Sequence, residues 1–158
     1  MRVLAIDPGY DRLGIAVVEG DASKPTLVWS DCFIPTKGSS SVRLGQIARI
    51  LAETIREYTP DAVALETLFF STNVKTAIGV AEARGVVLAA AGTAALPVIE
   101  SSPQGVKLAV TGYGNADKKA VTNMVPKLIT IPPKPGRLDD EYDAIALGIA
   151  ALTLGKRV

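Results

Sequence analysis

The chain contains no histidine and one cysteine, Cys32. The missing histidine excludes Ser-His-Asp and Cys-His catalysis and every histidine-ligated metal site. The lone cysteine excludes an intrachain disulfide and a cysteine-built zinc centre. A long apolar run is lacking too. The longest, Gly85 to Ile99, falls short of the ~18 to 20 residues of a spanning helix and is interrupted by Pro97. No targeting signal precedes the first strand-like run, which follows directly on Met1-Arg2. The expectation is a cytoplasmic protein without membrane partners. Any chemistry must come from carboxylates, lysines, hydroxyls or a bound cofactor.

What is present fits one domain, residues 1–158, large enough to bury a sizeable core. The net charge of +1 says little about partners, but its distribution says more. From Pro103 to Arg137 there are six basic residues (Lys107, Lys118, Lys119, Lys127, Lys134, Arg137) against one acid, Asp117. Such a segment is suited to a polyanion. On charge alone, an ordinary solvated surface explains it equally well.

"VLAID" (3–7) is a short apolar run ended by Pro8-Gly9, a strand followed by a turn. "LGIAVVEG" (13–20) and "TLVWSDCFI" (26–34) read as two further strands, and the short connections predict an antiparallel meander. Leu44, Ile47, Ala48, Leu51, Ile55 and Tyr58 recur at helical spacing, so 41–58 is expected to be a helix ended by Thr59-Pro60. A strand at 62–66, a helix at 73–95 and a short strand at 97–100 follow. Helices near 104–110 and 117–128 come next. Three prolines make "ITIPPKPGR" an extended loop, and a last helix runs from Asp140 to Gly155. Strands separated by helices are expected to be parallel. The prediction is an α/β fold: a five-stranded mixed sheet, three antiparallel strands then parallel ones, flanked by helices on both faces.

Asp7 closes the first strand and Glu66 the fourth. As parallel neighbours they share the carboxyl edge of the sheet, where open α/β sheets place ligands. Asp140 and Asp143 are three residues apart, on one face of the final helix. Taken singly, each acid has a plain explanation. Asp-Pro-Gly is a common turn, a strand-end Glu can meet solvent, and Asp139 or Asp140 is expected to cap the helix. The joint pattern carries the argument. Four carboxylates at one place repel one another, so their pKa values rise or cations bind. Magnesium takes oxygen ligands from a few carboxylates, and two ions about 4 Å apart clamp both oxygens of a phosphodiester displacement.

The sequence resembles the RuvC family of Holliday junction resolvases, of the ribonuclease H-like fold. The motifs are "AIDPG" (5–9), "ALETLFFSTN" (64–73), "PQGVK" (103–107), "GYGNADKKAV" (112–121) and "DEYDAIALGIA" (140–150). The resemblance implies that Asp7, Glu66, Asp140 and Asp143 hold two Mg²⁺ ions, for which Mn²⁺ can substitute. It implies that a metal-activated water attacks a phosphodiester, leaving a 5′-phosphate and a 3′-hydroxyl. It further implies that Phe69 stacks on bases at the junction centre, that Lys107 and Lys118 lie near the scissile phosphate, and that Lys119 contacts DNA. The implied partners are four-way junction DNA, a second copy of the chain, and the RuvA and RuvB branch-migration proteins. The apolar, Gly- and Ala-rich segment 76–96 is expected to pack partly on the sheet and partly on that second copy.

Three other readings remain at this stage. One is a related nuclease acting on structured RNA or other branched nucleic acid. Another is a junction-binding protein without catalysis, which the complete carboxylate set opposes. The third is a phosphate-binding lobe of an actin-like ATPase, suggested by Asp7, Gly9 and Gly14; it is opposed by the need for two lobes.

Overall fold

The structure, a computed structural model, describes residues 1–67 and 74–155. Three strands, β1 (Arg2–Pro8), β2 (Leu13–Asp21) and β3 (Lys24–Phe33), form the meander. Then come α1 (Ser40–Tyr58), β4 (Ala62–Glu66), α2 (Val74–Thr93) and β5 (Val98–Ser101). Three helices follow: α3 (Pro103–Thr111), α4 (Lys118–Leu128) and α5 (Asp139–Leu154). The sheet order is β3-β2-β1-β4-β5. β1 pairs antiparallel with β2 and parallel with β4, and β4 pairs parallel with β5. The mixed sheet expected from the sequence is therefore present, with helices on both faces.

The central strands read as continuous apolar runs because both faces are covered. Val3 and Ala5 of β1, Ala16 and Val18 of β2 and Ala64 of β4 pack with α3, α4 and α5. The alternate residues Leu4, Ile6, Ile15, Val17, Val63 and Leu65 pack with α1 and α2. Period-two alternation thus assigns the buried residues of β1, β2 and β4 to one helical layer or the other. α5 is buried along its whole apolar length, from Ala144 to Leu152. Alanines on the facing strands let it lie close. Gly148 is needed there, because a β-carbon at that position would come within 2.6 Å of Val18 Cγ2.

On the opposite layer α2 buries Ala83, Val87 and Ala91, spaced four apart, and leaves Ile78 and Leu88 exposed. Between α1 and α2 runs an apolar groove of about 510 Å³, lined by Ala48, Ala52, Ile55, Val86 and Ala90 among others. Thr59 ends α1 in the left-handed region and donates its N–H to Ile55 O at 2.9 Å. Among the described residues, no helix is long and apolar enough to cross a membrane.

The start of α5 differs from expectation. Neither Asp139 nor Asp140 caps it: the N-cap is Leu138, with no side-chain cap bond. Asp139 is largely exposed and still lies in the first turn, where its charge suits the helix dipole. A polar network holds the helix end instead.

Candidate active site

Ile6 pairs with Leu65 in parallel register, so the next residues, Asp7 and Glu66, end adjacent strands side by side. Alternation turns both carboxylates toward the layer of α3, α4 and α5. A cleft of about 240 Å³ opens there, lined by Asp7, Glu66, Lys107, Lys118 and Asp143 over Val106, Val121 and Ala146. Three acids and two lysines thus meet at the carboxyl edge of the sheet. They come from β1, β4, α3, α4 and α5.

The electrostatics follow from crowding. Burial, then the charges of Asp143, Glu66 and Asp140, push Asp7 up to about 7, against which Lys118 acts weakly. Burial and Asp143 raise Glu66, while Lys107 opposes the shift. Lys118 Nζ lies 2.9 Å from Asp143 Oδ2 and 3.7 Å from Asp139 Oδ2. Its hydrogen bond to Asp143 holds the ammonium above its ordinary pKa. Negative charge therefore exceeds positive charge around the cleft.

Asp140 takes a different position from the other three acids. Its Oδ2 lies 3.2 Å from Arg12 Nε, at the end of the β1–β2 turn, and is not part of the cleft lining. That oxygen is enclosed and receives no hydrogen bond. Gly14, which pairs with Asp7, faces the Asp140 backbone: a β-carbon at residue 14 would fall 2.0 Å from the Asp140 carbonyl oxygen. The missing side chain lets the first turn of α5 settle against the sheet beside Asp7.

Glu141, for which no role was expected, is 1% exposed. Its Oε1 accepts from Arg137 Nη1 at 2.5 Å and Ser30 Oγ at 2.6 Å. Its Oε2 accepts from Lys134 Nζ at 3.2 Å. Lys134 also reaches Asp31 at 2.7 Å, and Arg137 donates to Pro132 O at 2.9 Å. Burial pulls the Lys134 pKa down, but hydrogen bonds to Asp31 and Glu141 outweigh it and leave it raised. Two basic residues counted above toward a polyanion-binding segment thus turn inward and tie the proline-rich loop and α5 to β3.

Arg84 was also missed. Within the apolar helix α2 it donates Nη1 to Glu66 O at 2.6 Å and pairs with Glu100. Its legible signal was a charged side chain in a helix otherwise poor in charge. Lys119 is exposed on α4, one residue beyond Lys118, and does not line the cleft. Phe69 lies outside the described residues.

The donors of the cleft are carboxylate oxygens, the chemistry preferred by hard divalent cations. Asp7 is crowded by like charge that a cation would relieve, so the residues present fit such an ion. As the side chains stand, no three acidic groups among the described residues converge closely enough to chelate one. Lys118 pairs with Asp143, and Arg12 with Asp140.

The family model for crossover junction endodeoxyribonuclease RuvC matches residues 3–151. A RuvC of Syntrophomonas wolfei is 42% identical over 153 residues, covering 96% of this chain and 88% of the relative. One of Thermosipho melanesiensis is 43% identical, covering 93% and 94%. Among solved structures, Thermus thermophilus RuvC in complex with Holliday junction substrate is 32% identical. It aligns with a TM-score of 0.91 over 99% of this chain and 95% of that one. A further Thermus thermophilus RuvC structure aligns at 0.84. A yeast mitochondrial Holliday junction resolvase, 14% identical with a TM-score of 0.70, shares the fold. A sheet edge crowded with acids, in a ribonuclease H-like frame and matched along nearly its whole length, leads to one conclusion. The chain belongs to the RuvC family of crossover junction endodeoxyribonucleases, which implies a nuclease that depends on a divalent metal.

Proposed function

We propose that this chain resolves four-way (Holliday) DNA junctions by paired, symmetric phosphodiester cuts in homologous recombination and repair. It does so within a single ribonuclease H-like domain, with Asp7, Glu66, Asp140 and Asp143 holding two Mg²⁺ ions. The observation that carries this reading is the meeting of Asp7, Glu66 and Asp143 with Lys107 and Lys118 in one cleft. Support comes from the likeness to a RuvC described in complex with a junction.

Bound there, divalent ions supply a Lewis acid and a hydroxide-like nucleophile at neutral pH. The chain's own residues do the rest. Asp7 and Glu66, fixed at adjacent strand ends, set the floor of the site. Asp143 enters from α5, whose buried length prevents drift. Lys107 and Lys118 present ammonium groups to a phosphate. Lys118 reaches the cleft from α4, with its Nζ 2.9 Å from Asp143 Oδ2. Lys119 adds a backbone contact from the same helix, and Phe69 stacks on unpaired bases at the junction centre.

The junction is near-twofold, so symmetric cutting calls for a C2 dimer with two equivalent sites. The exposed Ile78 and Leu88 and the α1–α2 groove offer apolar surface to a second copy. Work in the cytoplasm with RuvA and RuvB completes the proposal. The deciding assay compares a synthetic four-way junction with linear duplex, in Mg²⁺ or EDTA. Cutting of the junction alone, and only with Mg²⁺, is expected; equal cutting of both removes junction selectivity.

A further inference from the structure

Arg12 has no part in the site as proposed, yet its position is built. The β1–β2 turn is closed by Gly9 N–H donating to Arg12 O at 2.9 Å. A β-carbon on Gly9 would come within 2.7 Å of that oxygen, so the turn is as tight as glycine allows. From the other side, Arg43 of α1 donates to Tyr10 O at 2.6 Å, and its guanidinium lies 5.4 Å from the Tyr10 ring centre. Held at both ends, the turn aims Arg12 at Asp140, with Nε 3.2 Å from an enclosed oxygen that has no hydrogen bond. The Asp140 backbone is itself fixed against Gly14. That Asp140 oxygen therefore has a charged neighbour, Arg12, but no hydrogen bond. Arg12 is 44% exposed, in the turn that joins β1 and β2. A guanidinium so placed can take a phosphate in bidentate fashion.

We propose that Arg12 is the resident counter-ion of Asp140, that it competes there with a divalent cation, and that a DNA phosphate draws it away. Cation binding at Asp140 is thereby linked to DNA binding. The inference rests on the reading of Asp140 as a metal ligand. A partly exposed ion pair is weak, which suits a lock that substrate must open. Linkage is reciprocal: whatever DNA does for the cation, the cation does for DNA.

The test is isothermal titration of Mn²⁺ into the intact protein without DNA, at fixed salt. Arg12→Gln should lower the half-saturating Mn²⁺ concentration about two- to fivefold, the range set by an exposed pair. Arg12→Lys, which keeps the charge, should do so less. In an Asp140→Asn background the gain should vanish. If Asp140→Asn weakens Mn²⁺ binding but Arg12→Gln leaves it unchanged, the role of Arg12 is overturned and Asp140 stands as a ligand. If Asp140→Asn has no effect, both fall. The transfer to phosphate is read separately, from junction affinity against salt in EDTA. Arg12→Gln should reduce the log–log slope by about one phosphate contact. An unchanged slope overturns the transfer.

Discussion

Gly14 and Asp140 meet so closely that a single β-carbon on the first would overlap the carbonyl oxygen of the second, at 2.0 Å. Since Gly14 also pairs with Asp7, one glycine sets the distance between a strand-end acid and the helix carrying two more. Gly14→Ala should push the start of α5 off the sheet. Overpacking of this kind costs about 1 to 3 kcal/mol. The expected result in denaturant melts is a loss of that size, together with a larger fall in junction cleavage than in junction binding. Unchanged cleavage would mean that α5 tolerates the shift.

Asp7→Asn and Asp143→Asn should each lower cleavage by more than about a hundredfold, beyond the loss typical of outer partners of a metal site. Junction binding in gel shifts should persist, because one fewer negative charge beside a phosphate does not weaken it. A variant cutting at near-normal rate removes that residue from the proposed metal set.

Asp7 also makes stability depend on pH. Its carboxyl is pushed up to about 7 in the fold from 3.8 in the free chain. Between those values the unfolded chain ionises and the folded one does not. Stability of the metal-free protein from this group is full below the lower value and is lost as pH rises through the upper one. Glu66, raised by burial and Asp143, acts in the same sense. Metal-free melting temperature should fall from about pH 5 to about pH 8, with a shallower fall in Asp7→Asn. Added Mg²⁺ should stabilise most at the alkaline end, where it no longer competes with protons.

Glu141→Ala would leave Arg137, 7% exposed, without its main carboxylate partner. Removing one member of a buried pair costs about 3 to 5 kcal/mol. Glu141→Gln keeps an acceptor for Ser30 and Arg137 and should cost less. Chemical denaturation distinguishes the two, and equal losses would show that charge alone matters.

Calcium should support junction binding but not cutting, because its looser, larger coordination shell positions a nucleophile poorly. Gel shift and cleavage assays in Ca²⁺ and Mg²⁺ make the comparison; robust cutting in Ca²⁺ counts against the two-magnesium reading.

Much of the fold was legible because its elements follow simple periods. β1 and β4 are apolar runs stopped by an acid, and α1 repeats at helical spacing up to Thr59-Pro60. The strand-end acids could be paired because parallel neighbours must end together. The less legible parts depend on contacts distant in sequence. Glu141 is 111 residues from Ser30, so nothing local distinguishes it from the exposed Asp139. Asp140 and Asp143 share a helical face by spacing, but only Asp143 lines the cleft; Asp140 pairs with Arg12, and that pairing depends on the β1–β2 turn. Lys134 and Arg137 counted as free charge until Glu141 was placed beneath them.

The cleft acids come from β1, β4 and α5, and the ends of β1 and β4 become neighbours only once those strands pair. A nascent, unfolded or partly melted chain therefore carries all the residues of the site without having the site. A proteolytic fragment that lost α5 would lack Asp140 and Asp143 and could not complete it. Activity that depends on these acids is therefore expected to disappear with the pairing of β1 and β4, before the chain as a whole is unfolded.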